Sequence, residues 1–537
     1  MVITYIMNLV RLAFASCILW KLLGLSAGAA PWVIDPDLKI RKIMDTGAKS
    51  LRIAWNPEDG QLYYLKASGE IFRINLSSAP NGSTSVLVYD RSDHQITSAA
   101  GIAIDAGGTI YLTSNRNVPD HTISTITKGV LNRPAGTRTW SVLAETAPYP
   151  SESRLFNHQL NGIAPSPDGQ SIFVQLGART DHGEIQSDNG KFPGIRETGV
   201  TSVILQLPIG AAGLVLPDDR EQLRQAGYLY SEGVRNTFDL AFSPDGELFG
   251  AENGPDRDMP EELNWLRKGR HYGFPWRMGV ENNPQQSAFY NPADDLLLND
   301  EYLAVIQGTY QNDPTFPPPP PGVQFTDPII NTGPVADLFR DAQTGAIRDA
   351  SAGGLSLSTF TAHRSPLGLV FDVKRRFSPK YHGDAFLLSW TNAQAPGQDG
   401  AGAFDESGDL LHLKLMRAGP DYQLAATRIA AGFQNPADAE IVGTRLYVLE
   451  YGGAQGLWEI TFPPAQATFP VDPVFLANGD LLLTPGGVPG DPYLLEASPD
   501  LIIWTLVQKY TAAAPPLTVT VKTTGQPKQF YRARPGE

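Results

Sequence analysis

Residues 233–275 hold the densest set of groups in the sequence that could do chemistry. Arg235 and Asn236 precede an apolar run, so we expect both side chains to project from a loop beside a strand. After that run comes a turn that contains Gly254 and Pro255. Proline has no N–H group, so the carbonyls of this turn are left free, and Ca²⁺ readily accepts main-chain carbonyl oxygens as ligands. The turn therefore predicts a Ca²⁺ site at Gly254 and Pro255.

His158 is the second candidate, and it is one of only eight histidines in the chain. It lies in the stretch FNHQLNGI, just before a predicted hairpin, where loops reach the mouth of a β architecture. An imidazole titrates near neutral pH, which suits a general base. The position therefore makes His158 a candidate site residue, and a structural or merely exposed loop histidine is the alternative.

The composition indicates what kind of scaffold must position these groups. Among 537 residues there are 52 glycines and 44 prolines, and only 18% are charged, which favours short strands and many turns over long solvated helices. The hydrophobic fraction of 42% is enough for a large core. A net charge of -14 argues against a nucleic-acid partner, because binding phosphates needs a basic face.

A repeated hairpin pattern predicts the architecture. Four clear copies of an apolar strand, an Asp-Gly-type turn and a second strand begin at Arg52, Gly101, Gly162 and Asp239, and two looser copies begin at Gly368 and Asp438. Six copies predict an all-β fold, a six-bladed β-propeller over residues 31–465. The widest gap between copies predicts an insertion at about 277–360.

The two ends of the chain differ from this pattern. Residues 1–30 have the basic start, apolar run and small residues of a secretory signal, with cleavage after Ala29 or Ala30, and they contain the single cysteine, Cys17. We therefore expect a periplasmic or extracellular protein without a membrane span in the mature chain. Residues 471–537 predict a small C-terminal β-sandwich-like module with Tyr493 and Trp504 in its core.

The succession GVRNTFDLAFSPDGEL, ENGP, EELN and GRHYGFP within 233–275 resembles the glucose/sorbosone dehydrogenase family, soluble quinoproteins that use pyrroloquinoline quinone (PQQ). Looser similarity extends through most of 32–462. The resemblance implies a six-bladed propeller, which agrees with the hairpin count made independently. It also implies a sugar-oxidising enzyme.

The resemblance assigns roles residue by residue. His158 would be the general base that takes the proton of a sugar hydroxyl. Arg235 would stabilise charge on the quinone oxygen, and Asn236 would hold the cofactor. Gly254 and Pro255 would offer carbonyl oxygens to a Ca²⁺ that polarises the quinone.

Some positions depart from the family pattern. Where the family has a Gly-Asp pair whose carboxylate orients the imidazole, this chain has Gly177-Ala178, and Asp181 and Glu184 are the nearest carboxylates. A lysine and two arginines that bind the acidic cofactor also have no counterpart. Arg179 and Arg364 lie in neighbouring loops and are candidate substitutes.

These observations predict a PQQ- and Ca²⁺-dependent dehydrogenase acting on a sugar, an aldose or a polyol, with an electron acceptor that the sequence does not identify. One alternative is a non-catalytic propeller that binds carbohydrate or mediates adhesion after losing the cofactor. A second alternative is a Ca²⁺-dependent lactonase, which would need carboxylate ligands in the channel.

Overall fold

The computed structural model describes residues 30–79, 82–151, 156–187, 190–390, 405, 407–452, 455–465, 471–487, 492–513, 515–523 and 529–536. Nearly all of its regular structure is β, which confirms the all-β part of the predicted fold class. The described helices are short: Arg91–His94, Arg220–Gln225 and Leu303–Ile306, with 3₁₀ turns at Pro284–Gln286 and Pro292–Asp294. In these described ranges, no helix is long and apolar enough to cross a membrane. The predicted signal segment, with Cys17, lies outside them apart from Ala30.

Six sheets, numbered 1 to 6 in chain order, form the main body. Sheet 1 contains Ser50–Asn56, Gln61–Lys66, Ile71–Asn75 and Thr84–Tyr89. Sheet 2 contains Ala99–Ile104, Ile110–Val118, His121–Asn132 and Thr137–Thr146, with Tyr149–Pro150 and Leu214–Leu216 at its edges. Sheet 3 contains Leu160–Pro165, Ser171–Leu176, Val203–Pro208 and Leu229–Glu232.

The remaining three sheets follow. Sheet 4 contains Thr237–Phe242, Leu248–Glu252 and Glu262–Leu266. Sheet 5 contains Pro366–Phe371, Ala385–Ser389, Asp409–Ala418 and Asp421–Ala431, extended by Ile330–Pro334, Leu357–Ser358 and Trp32–Val33. Sheet 6 contains Pro436–Val442, Arg445–Glu450, Gly456–Thr461 and the early strand Lys39–Asp45. The six predicted hairpins correspond to the first two strands of these sheets.

The first strands of the six sheets form a closed ring. Each contacts the first strand of the next sheet, and Pro436–Val442 of sheet 6 contacts Ser50–Asn56 of sheet 1. Lys39–Asp45 closes the ring through hydrogen bonds, because it pairs antiparallel with Gly456–Thr461. The later halves of the first strands line a cavity of about 360 Å³. The loops that precede these strands therefore gather at the other end of a central channel.

Apolar side chains fill the space between neighbouring sheets. Between sheets 5 and 6, Phe377 and Phe462 stack with their ring centroids 4.2 Å apart, and the ring of Phe386 packs against both. All three side chains are buried. Burying a phenylalanine side chain contributes roughly 1.5–3 kcal/mol, so such layers hold each sheet against the next.

The strands of the segment 277–360 are all short: Arg277–Met278, Glu281–Asn282, Ile330–Pro334, Leu338–Arg340, Ile347–Asp349 and Leu357–Ser358. It packs on the turn after sheet 4's second strand, where Asp258 N donates to Leu297 O at 2.9 Å and Ala304 N donates to Asp256 Oδ2 at 2.9 Å. This long segment therefore covers the turn predicted to hold Ca²⁺.

Two three-stranded sheets occupy the C-terminal residues. One contains Val471–Phe475, Leu481–Thr484 and Val519–Val521, and the other Pro492–Ser498, Thr505–Thr511 and Phe530–Pro535. Tyr493 is buried with Leu483 and Leu495, as expected. Trp504 is only partly buried and lies under the Arg532 guanidinium, so its predicted core position is wrong.

Candidate functional site

The structure brings His158 and Arg235 together at the end of the channel where the first strands begin. His158 precedes the first strand of sheet 3, and Arg235 precedes the first strand of sheet 4. The main chain of Ala178 joins them, because His158 N donates to Ala178 O at 2.9 Å and Ala178 N donates to Arg235 O at 2.7 Å. Two loops that are far apart in sequence thus share one set of backbone hydrogen bonds.

The His158 imidazole has an unused nitrogen. Its Nε2 atom is buried and has no hydrogen-bond partner among the described residues. Burial and, to a smaller extent, the Arg235 charge outweigh the opposing effect of Asp181 and lower the pKa of His158 to about 3, well below the near-neutral titration expected from the sequence. The ring is therefore neutral at ordinary pH and can accept a proton at Nε2.

Gly177 permits the close packing behind His158. A Cβ atom at this position would lie 2.1 Å from the His158 carbonyl oxygen and 2.5 Å from its Cβ. Gly177 N also donates to His158 O at 3.1 Å. Only glycine fits here without displacing the candidate base.

Arg235 is held by three directed hydrogen bonds. Its guanidinium is 3% exposed. Its Nη2 donates to Asp181 Oδ1 at 2.8 Å, its Nε donates to Asp181 O at 2.7 Å, and its Nη1 donates to Asn253 O at 3.1 Å. Burial raises the pKa of Asp181, but the Arg235 charge outweighs this with other partners and holds it at about 2. Arg235 and Asp181 therefore form a buried ion pair.

Asn236 lies beside Arg235 and joins sheets 3 and 4. Its Oδ1 accepts from Asn161 Nδ2 at 3.3 Å, and its main-chain oxygen accepts from Asn253 N at 3.1 Å. Asn236 is buried within the same wall as His158 and Arg235. The three residues assigned to base and cofactor are thus grouped as predicted, although their roles stay predictions.

The predicted metal turn lies next to this group. Gly254 N donates to Glu261 Oε1 at 3.4 Å, and Pro255 O accepts from Arg257 N at 2.7 Å. In the described part of the chain, no group of three or more His, Cys, Asp or Glu side chains could hold a metal ion. A Ca²⁺ here would therefore depend on the main-chain carbonyls, and the Ca²⁺ site stays a prediction.

Buried glutamates surround the turn, and sequence reasoning did not identify them as part of the site. Glu252 accepts from the Arg235 main-chain N–H and from Thr237 Oγ1, and Glu262 accepts from Asn264 Nδ2 at 2.8 Å. Burial raises the pKa of Glu252 and of Glu261 to about 7 each. Glu252 is the last residue of a strand that is buried at every residue. The alternation of buried and exposed residues in that strand therefore could not single out Glu252.

The two candidate substitutes for the cationic anchors are already engaged. Arg179 donates to the main-chain oxygens of Pro150, Arg196 and Gln186. Arg364 pairs with Asp405 at 2.6 Å and with Asp409 at 2.6 Å. The unpartnered His158 Nε2 and the neighbouring Arg235 therefore fit the end of a quinone that reacts. The described residues fit the end of the cofactor that carries its carboxylates less well.

The family model "Glucose / Sorbosone dehydrogenase" matches residues 99–291, a range that includes every candidate site residue. The resemblance inferred from the motifs is thereby confirmed. The matched family is one of dehydrogenases, which are oxidoreductases.

The chain is also similar to individual dehydrogenases. Quinoprotein glucose dehydrogenase B of Acinetobacter calcoaceticus is 35% identical over 74 residues, which cover 14% of this chain and 15% of that protein. The PQQ-bound aldose sugar dehydrogenase of Streptomyces coelicolor matches with a TM-score of 0.43 and 14% identity, over 80% of this chain and 99% of that one. The soluble aldose sugar dehydrogenase of Escherichia coli, solved in its apo form, matches with a TM-score of 0.47 and 14% identity, over 79% of this chain and 99% of that one.

Proposed function

We propose that this protein is a quinoprotein-type dehydrogenase that oxidises a sugar, an aldose or a polyol. The observation that carries the proposal is the His158 imidazole, which is neutral and whose Nε2 atom is buried and unpartnered beside the buried Arg235. A neutral imidazole can take the proton of a substrate hydroxyl as the neighbouring carbon loses a hydride.

PQQ is the proposed cofactor, and when bound it would accept the hydride, which carries both electrons of the oxidation. Arg235 would hold positive charge beside it, fixed by Asp181, and Asn236 would contribute to the same wall. Gly254 and Pro255 would offer main-chain oxygens to Ca²⁺. His158 would then receive the hydroxyl proton at Nε2.

The organisation proposed around this site follows the six sheets. Residues 31–465 form a six-bladed β-propeller in which 277–360 is an insertion, and 471–537 form a separate C-terminal β module. The ring of first strands supports this proposal, and so does the observation that the only other sheets in the described part of 31–465 are two-stranded and lie within 277–360. Residues 1–30 are proposed to direct export to the periplasm or outside the cell.

The direct test is cofactor loading followed by turnover. Purified protein is titrated with PQQ at millimolar Ca²⁺, and reduction of an artificial dye is followed with a panel of aldoses, polyols and simple alcohols. The proposal expects saturable loading and dye reduction with at least one sugar or polyol. No dye reduction with any of them, after PQQ binding has been verified by absorbance, would contradict it.

A non-catalytic carbohydrate-binding or adhesion module is the second candidate. The engagement of Arg179 and Arg364 favours it, because both are then poorly placed to bind an acidic cofactor. Isothermal titration of the cofactor-free protein with the same sugars distinguishes the two. Sugar binding without any dye reduction by the PQQ-treated protein supports the module.

A further inference from the structure

Asp181 is the acidic residue that determines where the Arg235 guanidinium points. The carboxylate is fully buried, with 0% of the side chain exposed. Asp181 Oδ1 accepts a hydrogen bond from Arg235 Nη2 at 2.8 Å, and the main-chain oxygen of Asp181 accepts one from Arg235 Nε at 2.7 Å. Two bonds from one residue to neighbouring nitrogens of a planar group fix both its position and its plane.

The same carboxylate also ties the surrounding segments together. Asp181 Oδ2 lies 2.8 Å from His182 Nδ1, and it accepts from Tyr310 Oη at 3.4 Å. Asp256 N donates to both carboxylate oxygens, at 3.1 and 3.2 Å. Asp181 therefore links the loop between the second and third strands of sheet 3, the turn after Pro255 and the segment 277–360 around Arg235.

Position 178 explains why this arrangement differs from the one that the resemblance implies. Ala178 is fully buried and carries only a methyl group where a carboxylate would orient the imidazole. No described carboxylate makes a hydrogen bond to the His158 ring. The His158 backbone is instead bonded to Ala178 O and Gly177 N. The carboxylate of this chain thus lies three residues later and contacts the guanidinium.

We infer that Asp181 is the positioning residue for Arg235, in place of a carboxylate that orients the base. It holds the guanidinium beside His158 through a buried ion pair. The inference rests on the proposed function, in which Arg235 faces charge that develops on the cofactor. Asp181 itself touches neither substrate nor cofactor.

Asp181→Asn tests the inference, because it keeps the side-chain shape and one acceptor oxygen but removes the charge. Misplacing a group that stabilises developing charge by about 1 Å costs up to about 100-fold, so we expect kcat to fall at least tenfold. The KM for the sugar should change by less than about threefold, because Arg235 is not a sugar ligand in this proposal.

The second readout needs no activity. Arginine modification by phenylglyoxal, measured peptide by peptide with mass spectrometry, should reach Arg235 at least about fivefold faster in Asp181→Asn than in the wild type, since the buried ion pair is lost. Asp181→Ala should increase the rate further. Melting temperatures of all variants identify any that fails to fold. If Asp181→Ala does not fold, the result with Asp181→Asn alone decides the test.

Glu459→Gln is the matched control. Glu459 is also a buried carboxylate bonded to an arginine, with Arg41 Nε at 2.8 Å and Nη2 at 3.0 Å, and to a tyrosine hydroxyl, Tyr447 at 3.0 Å. It lies in sheet 6, away from His158. This change should lower the melting temperature and leave kcat and Arg235 labelling as in the wild type.

Unchanged Arg235 labelling in Asp181→Asn overturns the inference, as does an equal loss of kcat in Glu459→Gln. A wild type that shows no turnover contradicts the proposed function alone. In that case the labelling comparison still decides the inference, with faster Arg235 modification supporting it and an unchanged rate overturning it.

Discussion

Glu440 should make the protein less stable as the pH rises, although it lies far from the candidate site. It lines the cavity formed by the later halves of the first strands, together with Asp239 and Asp438. Its carboxylate accepts from Trp55 N at 2.9 Å and from Ile441 N at 2.9 Å. Burial raises the pKa of Glu440 from 4.5 to about 7, and the backbone donors offset only part of this effect.

The sign and size of the effect follow from linkage. The folded chain binds the Glu440 proton more tightly than the unfolded chain, so the stabilisation is complete below pH 4.5 and is lost as the pH rises to about 7. Each pKa unit of difference is worth about 1.4 kcal/mol, so over the whole range at most about 3–4 kcal/mol of unfolding free energy is lost.

Glu440→Gln removes this titration. The variant loses one backbone hydrogen bond, a cost of about 1 kcal/mol at every pH. Urea unfolding at pH 5 and pH 8 should therefore show the wild type losing about 2–3 kcal/mol more than Glu440→Gln between the two values. Glu301→Gln, at an exposed position, should keep the wild-type slope. Parallel pH dependences for the wild type and Glu440→Gln would refute the reasoning.

Three further predictions concern the site. Gly177→Ala should reduce kcat at least tenfold, because its Cβ would lie 2.1 Å from the His158 oxygen, whereas Gly210→Ala, with nothing within 4 Å, should match the wild type in the dye assay. Ca²⁺ at 100 times its dissociation constant should stabilise the protein by about 2.7 kcal/mol and EDTA should reverse this in melting experiments, while no shift would count against Gly254 and Pro255 as ligands. The kcat/KM of the loaded protein should stay level from pH 8 down to about pH 4.5, because His158 is neutral until its pKa of about 3, and an acid limb near pH 6.5 would contradict that assignment.

Local sequence patterns predicted most of the strand layout. Alternating apolar residues around Asp-Gly turns are determined by neighbours within one hairpin, so copies such as those at Arg52 and Asp239 correspond to observed strand pairs. The same locality explains why the turn at Gly254 and Pro255 could be placed beside Arg235. Motif spacing was sufficient for these residues because each lies beside one of the two strands of a predicted hairpin.

Long-range partners could not be predicted in this way. Asp181 bonds to Arg235, 54 residues away, and to Tyr310, 129 residues away. The sequence marked Asp181 only as a nearby carboxylate and suggested the imidazole as the group to be oriented. The side chain that a buried carboxylate contacts depends on how the loops pack. Neither the period of apolar residues nor the spacing of motifs in the sequence contains that information.

The measurement that tests the central claim most directly is the turnover of His158→Ala loaded with PQQ and Ca²⁺. General-base assistance contributes about 10²–10⁴-fold, so kcat should fall at least about 100-fold while the affinity for PQQ stays close to that of the wild type. His382→Ala, a change at a histidine outside the site, should retain wild-type turnover. A His158→Ala variant that binds PQQ and keeps more than about a tenth of the wild-type kcat would contradict the assignment of His158 as the base.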